Sequence, residues 1–169
     1  GTLVLPNTYT RFSANTSDLY PSNGWVTSAN SPSLAFDIAT FPIGLITFVC
    51  IGSNTVSGKL PADWKSMTYF RCGGSNTIGG NLPADWKSMT DFLCYGSNTI
   101  GGNFPADWKS MTYFICTGSN TISGIIDGAY AGNGNMRYLR LNSDNNLGGL
   151  STEDQEFLLI GKASRTWSG

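Results

Sequence analysis

Four cysteines stand at Cys50, Cys72, Cys94 and Cys116, each 22 residues after the last. Thiols at a fixed spacing could bridge, bind a soft metal, or pack as small apolar groups. Three carboxylates recur with the same period, at Asp63, Asp85 and Asp107, each next to a tryptophan. Acid–base catalysis needs dissimilar groups converging on one point, and these are one group copied three times. The only glutamates are Glu153 and Glu156, and the chain has no histidine. Histidine-based triads and histidine-ligated metals are thereby excluded, and no local cysteine pair has zinc spacing. The chain reads as a non-enzyme with no cofactor and no metal.

The elements that position these residues follow from the repeat. Residues 60–81 read LPADWKSMTYFRCGGSNTIGGN, 82–103 read LPADWKSMTDFLCYGSNTIGGN, and 104–125 read FPADWKSMTYFICTGSNTISGI. Degenerate units flank them at 41–58 and 136–149. A period of this size means stacked supersecondary units. Within a unit, residues 68–73 predict a short strand with Phe70 and Cys72 on one face and Tyr69, Arg71 and Gly73 on the other. Gly74-Ser75-Asn76 predicts a turn, after which Ile78 returns to the interior and Gly80 permits a bend. Pro61-Ala62-Asp63-Trp64 predicts the start of a helical turn on the opposite side. Trp64, Met67, Phe70, Cys72, Ile78 and Leu82 form the interior, which one coil cannot bury without its neighbours.

Two side-chain columns follow from stacking. Cys50, Cys72, Cys94 and Cys116 would lie about 4.8 Å apart, as strands do, a distance that also permits bridges. Inward cysteines repeating at one position read as buried free thiols. Asn54, Asn76, Asn98, Asn120 and Asn145 read as an asparagine ladder serving backbone groups of the turn. Thr55, Thr77, Thr99 and Thr121 read as turn chemistry, with a regular ice-binding file as the remote reading.

The string F-x-C-x-x-x-N-x-I-x-G-x-L-P resembles the leucine-rich-repeat pattern L-x-L-x-x-N-x-L-x-G-x-I-P over about residues 38–150. One extra residue separates Cys72 from Asn76, and Trp, Met, Phe and Cys replace most leucines. LPADWKSMT is similar to repeats in parasite surface antigens. FPIGLITFVCIGSNTVSG is similar to repeats in surface and phage-tail proteins of gut bacteria. The resemblance implies an α/β-type solenoid: a curved leucine-rich-repeat stack with a parallel β-sheet on its concave face and a binding or structural role. The expected organisation is an irregular or β cap or arm at 1–37, about five coils at 38–150, and a short capping helix and tail at 151–169. Ser151 would cap that helix ahead of Phe157-Leu158-Leu159-Ile160.

The second and third units differ at three of 22 positions: Tyr69/Asp91, Arg71/Leu93 and Gly73/Tyr95. These are alternate residues of one strand, so every change lies on its outward, concave face. The fourth unit carries Tyr113, Ile115 and Thr117 there, while exposed Lys65, Lys87 and Lys109 do not vary. Exposed aromatics and arginines are common interface anchors. The candidate binding residues are Tyr69, Arg71, Asp91, Leu93, Tyr95, Tyr113, Ile115, Tyr138 and Arg140.

Ten Lys and Arg balance eleven Asp and Glu, and 12% of residues are charged, about half the usual share of roughly 25%. That balance offers no basic patch for nucleic acid, and no apolar run is long enough to span a membrane. The favoured function is binding or adhesion to a protein or glycan, outside a cell, on its surface or on a virion. The alternative is a structural subunit self-associating into an oligomer, fibre, filament or surface layer.

Overall fold

The strand expected in each repeat forms. In Tyr69–Cys72, Phe70 and Cys72 are buried while Tyr69 and Arg71 are half-exposed. The computed structural model describes residues 8–14, 24–26, 35–51, 55–123 and 137–141. In chain order they form β1 (Arg11–Ala14), β2 (Gly24–Val26), β3 (Ala35–Asp37), a single 3-10 turn (Ile38–Thr40), β4 (Thr47–Cys50) and β5 (Thr55–Lys59). Then come β6 (Tyr69–Cys72), β7 (Thr77–Asn81), β8 (Asp91–Cys94), β9 (Thr99–Asn103), β10 (Tyr113–Cys116), β11 (Thr121–Ser123) and β12 (Tyr138–Leu141).

The strands alternate between two parallel sheets, which makes a solenoid. One sheet has the order β12-β10-β8-β6-β4-β1-β2 and the other β11-β9-β7-β5-β3. In the first, partners from β4 to β10 are 22 residues apart, so like residues pair: Phe48 with Phe70, Phe70 with Phe92, Phe92 with Phe114. Their rings stack at 5.1, 5.2 and 5.5 Å. Phe12 of β1 extends the same column, 5.1 Å from Phe48. Trp64, Trp86 and Trp108 form a second column at 5.9 and 6.4 Å. Each fully buried side chain of this kind removes apolar surface from water, worth about 1.5–3 kcal/mol.

The expected helical turn is replaced by two successive turns hinged on tryptophan. Trp86 N–H donates to Pro83 O at 3.3 Å, and Met89 N–H to Trp86 O at 3.1 Å. The physical reason is competition for the proline carbonyl. The Trp108 indole N–H of the next coil also donates to Pro83 O, at 3.0 Å, and Trp86 does the same to Pro61 at 2.9 Å. The carbonyl that would anchor a helix instead ties adjacent coils together, and the three-residue step points both Trp and Met inward.

Thr77–Asn81, read from sequence as a return and a bend, is the strand β7. Glycine weakens a strand because it has no side chain to pack. Here the neighbouring coil supplies the packing: a Cβ on Gly79 would lie 2.9 Å from Thr99 Oγ1. Gly80 has φ +89°, the left-handed region in which glycine is favoured.

Partners in this second sheet are 20 residues apart, not 22. Thr77 pairs with Ser57, Thr99 with Gly79, and Thr121 with Gly101. No threonine of the column lies beside another, so the regular file of an ice-binding face is absent among the described residues.

The N-terminal segment adds two strands to the first sheet, β1 beside β4 and β2 beside β1, and one to the second, β3 beside β5. Asp37 caps the 3-10 turn, accepting from Ala39 N–H at 3.0 Å. The capping helix expected at 151–169 lies outside the described residues, as do Asn54 and Asn145. Among the described residues the 3-10 turn is the one helical element, so the layer opposite the first sheet is β-structure and turns.

Candidate functional site on the seven-stranded sheet

The in-register pairing of β4, β6, β8, β10 and β12 arranges the outward side chains in rows. One row runs Thr47, Tyr69, Asp91, Tyr113, Tyr138, and the next runs Val49, Arg71, Leu93, Ile115, Arg140. A third row follows the strands through Gly73, Tyr95 and Thr117, whose N–H groups donate to Cys50, Cys72 and Cys94 carbonyls at 3.0, 3.1 and 2.9 Å. Rows lie about 6.8 Å apart along the strands and members about 4.8 Å apart across them. All nine residues expected from sequence are therefore brought onto one face.

Their exposure differs along the face. Tyr113 is 40% exposed and Arg140 is exposed, while Tyr69, Arg71, Asp91, Leu93, Tyr95, Ile115 and Tyr138 are half-buried. Val49, in the same row, is only 4% exposed, and Ser13 beside it also 4%. The open part of the Arg71 row thus begins at Arg71, while the Tyr69 row stays open through half-buried Thr47 to exposed Arg11. Sequence reasoning placed Thr117 on this face without counting it among the binding residues and did not name Thr47; both complete the rows. Their distance of one residue from Cys116 and Phe48 was the available signal.

Arg71 is the centre of the polar chemistry. Burial works against its charge, but the hydroxyl groups of Tyr95 and Tyr69 outweigh that and hold its pKa above the ordinary value. No carboxylate among the described residues pairs with it. Its Nε–H is shut off from solvent and has no acceptor. The Tyr95 ring lies over Gly73. Asp91, across from Tyr69, has Oδ2 2.6 Å from Thr90 Oγ1. Further along, the Tyr113 and Tyr138 rings stack at 6.2 Å.

Beneath this face the columns hold the strands in place. Asn76 Nδ2 donates to Gly73 O at 2.6 Å and to Cys50 O at 2.7 Å, while its Oδ1 accepts from Val56 N–H at 2.7 Å. Asn98 likewise donates to Tyr95 O at 2.8 Å and accepts from Ile78 N–H at 2.9 Å. Asn120 donates to Thr117 O at 2.6 Å and accepts from Ile100 N–H at 2.8 Å. Each asparagine joins the end of its own strand to the second sheet of the preceding coil. The extra residue before Asn76 is absorbed by Gly74, at φ +72°.

Cys50, Cys72, Cys94 and Cys116 are buried, and none forms a disulfide among the described residues. Cys72 Sγ lies 3.1 Å from Cys94 Sγ. Burial pushes the Cys50 thiol up to about 12, against a partial pull from Asn76, and raises Cys72 and Cys116 as well. Thiols so poorly ionised are weak nucleophiles and metal ligands. Asp63, Asp85 and Asp107 are exposed on the turns opposite, where Asp107 pairs with Lys87 at 3.1 Å. No cluster of three His, Cys, Asp or Glu forms among the described residues.

No family model matches the chain, and no curated protein matches it. Solved structures do. The plant peptide hormone receptor RGFR1 in complex with RGF2 aligns at TM-score 0.53 and 22% identity, over 74% of this chain and 21% of that one. The fold is a leucine-rich-repeat solenoid. A TDR receptor aligns at 0.52 and 20% identity, over 81% of this chain and 25% of that one. The leucine-rich-repeat ectodomain of the receptor kinase GASSHO1/SCHENGEN3 from Arabidopsis thaliana aligns at 0.52 and 20%, over 83% and 17% respectively. The chain spans about a fifth of these ectodomains' length. No helix among the described residues is long and apolar enough to cross a membrane.

Proposed function

We propose that this leucine-rich-repeat chain is a non-enzymatic recognition module that holds a protein or peptide ligand against its concave sheet, in an extracellular or cell-surface setting. One observation carries the reading. Two successive coils are identical at every position except Tyr69/Asp91, Arg71/Leu93 and Gly73/Tyr95, and those three positions occupy the open rows. The positions that change lie outside the buried Phe, Cys, Trp and Asn columns. Two of the aligned receptors are in complex with a partner, RGF2 for one and Casparian strip integrity factor 2 for another, and this supports a recognition role for such a solenoid. The parasite and bacterial surface repeats that the sequence resembles suit the same setting.

The test is selection of a random peptide library on the folded chain, with a glycan array in parallel. Selected peptides should lose binding to a Leu93→Ala/Tyr113→Ala variant whose melting temperature is unchanged. Binding that survives this variant sinks the concave-face reading. Hits confined to the glycan array reassign the ligand class.

A further inference from the structure

Arg71 on the concave face has hydrogen-bonding capacity that the described residues leave unfilled. Arg71 is flanked by the Tyr69 and Tyr95 hydroxyls, lacks a carboxylate partner among the described residues, and has a solvent-excluded Nε–H without an acceptor. The Nε–H is closed to a ligand as it is to water, so the half-exposed side chain meets a ligand through its charge and the rest of its guanidinium. Its position is fixed on both sides. The Tyr95 ring is seated over Gly73, where no side chain competes with it, and Tyr69 stands two residues earlier on the same strand. A planar fork held between two phenols is organised before any ligand arrives, which lowers the entropy lost on binding.

Resting on the recognition reading above, we propose that Arg71 is the anchor for a carboxylate side chain of an acidic peptide or protein loop laid across the concave sheet. Charge selects this class. Arg71 offers a single positive charge, and Asp91 stands in the neighbouring row of the adjacent strand. A monoanion is satisfied by that arrangement, whereas a dianion such as phosphate would face Asp91 with one cation only. Leu93 and Ile115 continue the Arg71 row and offer apolar ground for the residues that follow the acid, and the Tyr113–Tyr138 stack lies alongside them. The acidic residue therefore binds at the end nearer β4 and the apolar part towards β12.

The probes are two capped dipeptides, N-acetyl-Glu-Tyr-amide and N-acetyl-Gln-Tyr-amide, and sodium sulfate. Each is titrated into the 15N-labelled full chain, following the arginine Nε–Hε signals and the strand amides. Blocked termini leave the Glu side chain as the only carboxylate. The Glu probe should shift the Arg71 Nε–Hε signal and bind about tenfold more tightly than the Gln probe, the scale of a charge-assisted hydrogen bond on a partly wet face. Arg71→Gln should abolish that preference, Arg71→Lys should retain part of it, and Lys65→Gln, on the exposed turns opposite, should leave it intact. Equal binding of Glu and Gln probes overturns the inference, as does a preference surviving Arg71→Gln or tighter saturation by sulfate. If both probes shift the Leu93, Tyr113 and Ile115 amides equally, the carboxylate anchor falls while concave-face recognition stands. If neither probe shifts any concave strand, both fall.

Discussion

The Tyr95 ring lies across Gly73 of the preceding coil and occupies the space that a Cβ there would need. Gly73 is buried for that reason, although it sits on the outward face of the solenoid. The two residues therefore differ from each other as a pair: the coil with glycine precedes the coil with tyrosine. Gly73→Ala should displace the ring and cost about 1–2 kcal/mol, as overpacking does. The same substitution in a Tyr95→Ala background should be nearly neutral. A double-mutant cycle by urea denaturation measures the coupling, and additive effects would show that the ring and the glycine are independent.

Asn98 is the reporter for the asparagine column. Asn98→Ala removes the acceptor for the Ile78 N–H, in the interior, and the donor for the Tyr95 carbonyl, which is partly buried. One buried and one partly buried group left unpaired should cost about 2 kcal/mol. The Ile78 amide should lose hydrogen-exchange protection ahead of its neighbours. Protection unchanged at Ile78 would mean that another group meets it.

The charged turns should behave in the opposite way. Lys87 and Asp107 pair at 3.1 Å with side chains 63% and 53% exposed. Exposed pairs contribute little because solvent screens them. Lys87→Ala should leave the melting temperature within error, and raising the salt concentration should not destabilise the chain.

Stability should fall in alkali. The Cys50 thiol is raised from 9.0 to about 12, and Cys72 and Cys116 are raised too. A group with a raised folded-state pKa stabilises fully below its unfolded pKa. That contribution is lost as pH rises through the folded value. The window therefore opens near pH 9 and extends to about 12 for Cys50. Each of these three thiols adds a slope of about 1.4 kcal/mol per pH unit within its own window. Cys50→Ala should flatten the slope measured by denaturant titration between pH 9 and 11. At pH 8 the native chain should resist alkylation by iodoacetamide, whereas the urea-unfolded chain should react at all four sites.

Much of the first sheet was legible because its information is local and repeated. Phe70 and Cys72 alternate with Tyr69 and Arg71, and a period of 22 is also the pairing distance, so each strand predicts its neighbour. The candidate face followed from the same alternation. The second sheet was hidden because its pairing distance is 20 and its strands contain Gly79 and Gly80, which read locally as breakers. What rescues those glycines is Thr99, a residue of another coil. Phe12 was hidden similarly. It stands 36 residues before its partner Phe48, so the period that exposes the other coils passes over it. The tryptophan turns depend on an indole reaching a carbonyl 25 residues earlier, a contact that the helical propensity of Pro-Ala-Asp-Trp does not reveal. The burial of Val49 depends on the particular surroundings of β4, while the alternation alone assigns it to the open face.

The two pairing distances, 22 and 20, are both preserved when a whole unit is added or removed. Excising residues 82–103 would bring Asn81 to Phe104, put Phe70 beside Phe114 and Cys72 beside Cys116, and leave Asn120 facing the Ile78 amide as Asn98 does now. Duplicating the unit would lengthen the stack by one coil on the same terms. The gene segment for a 22-residue unit is thus a unit of growth: recombination between near-identical copies lengthens or shortens the solenoid without creating a new interior junction. Only the outward rows register the event, because a lost unit takes its three variable side chains with it. Insertions of any other length would break one pairing or both.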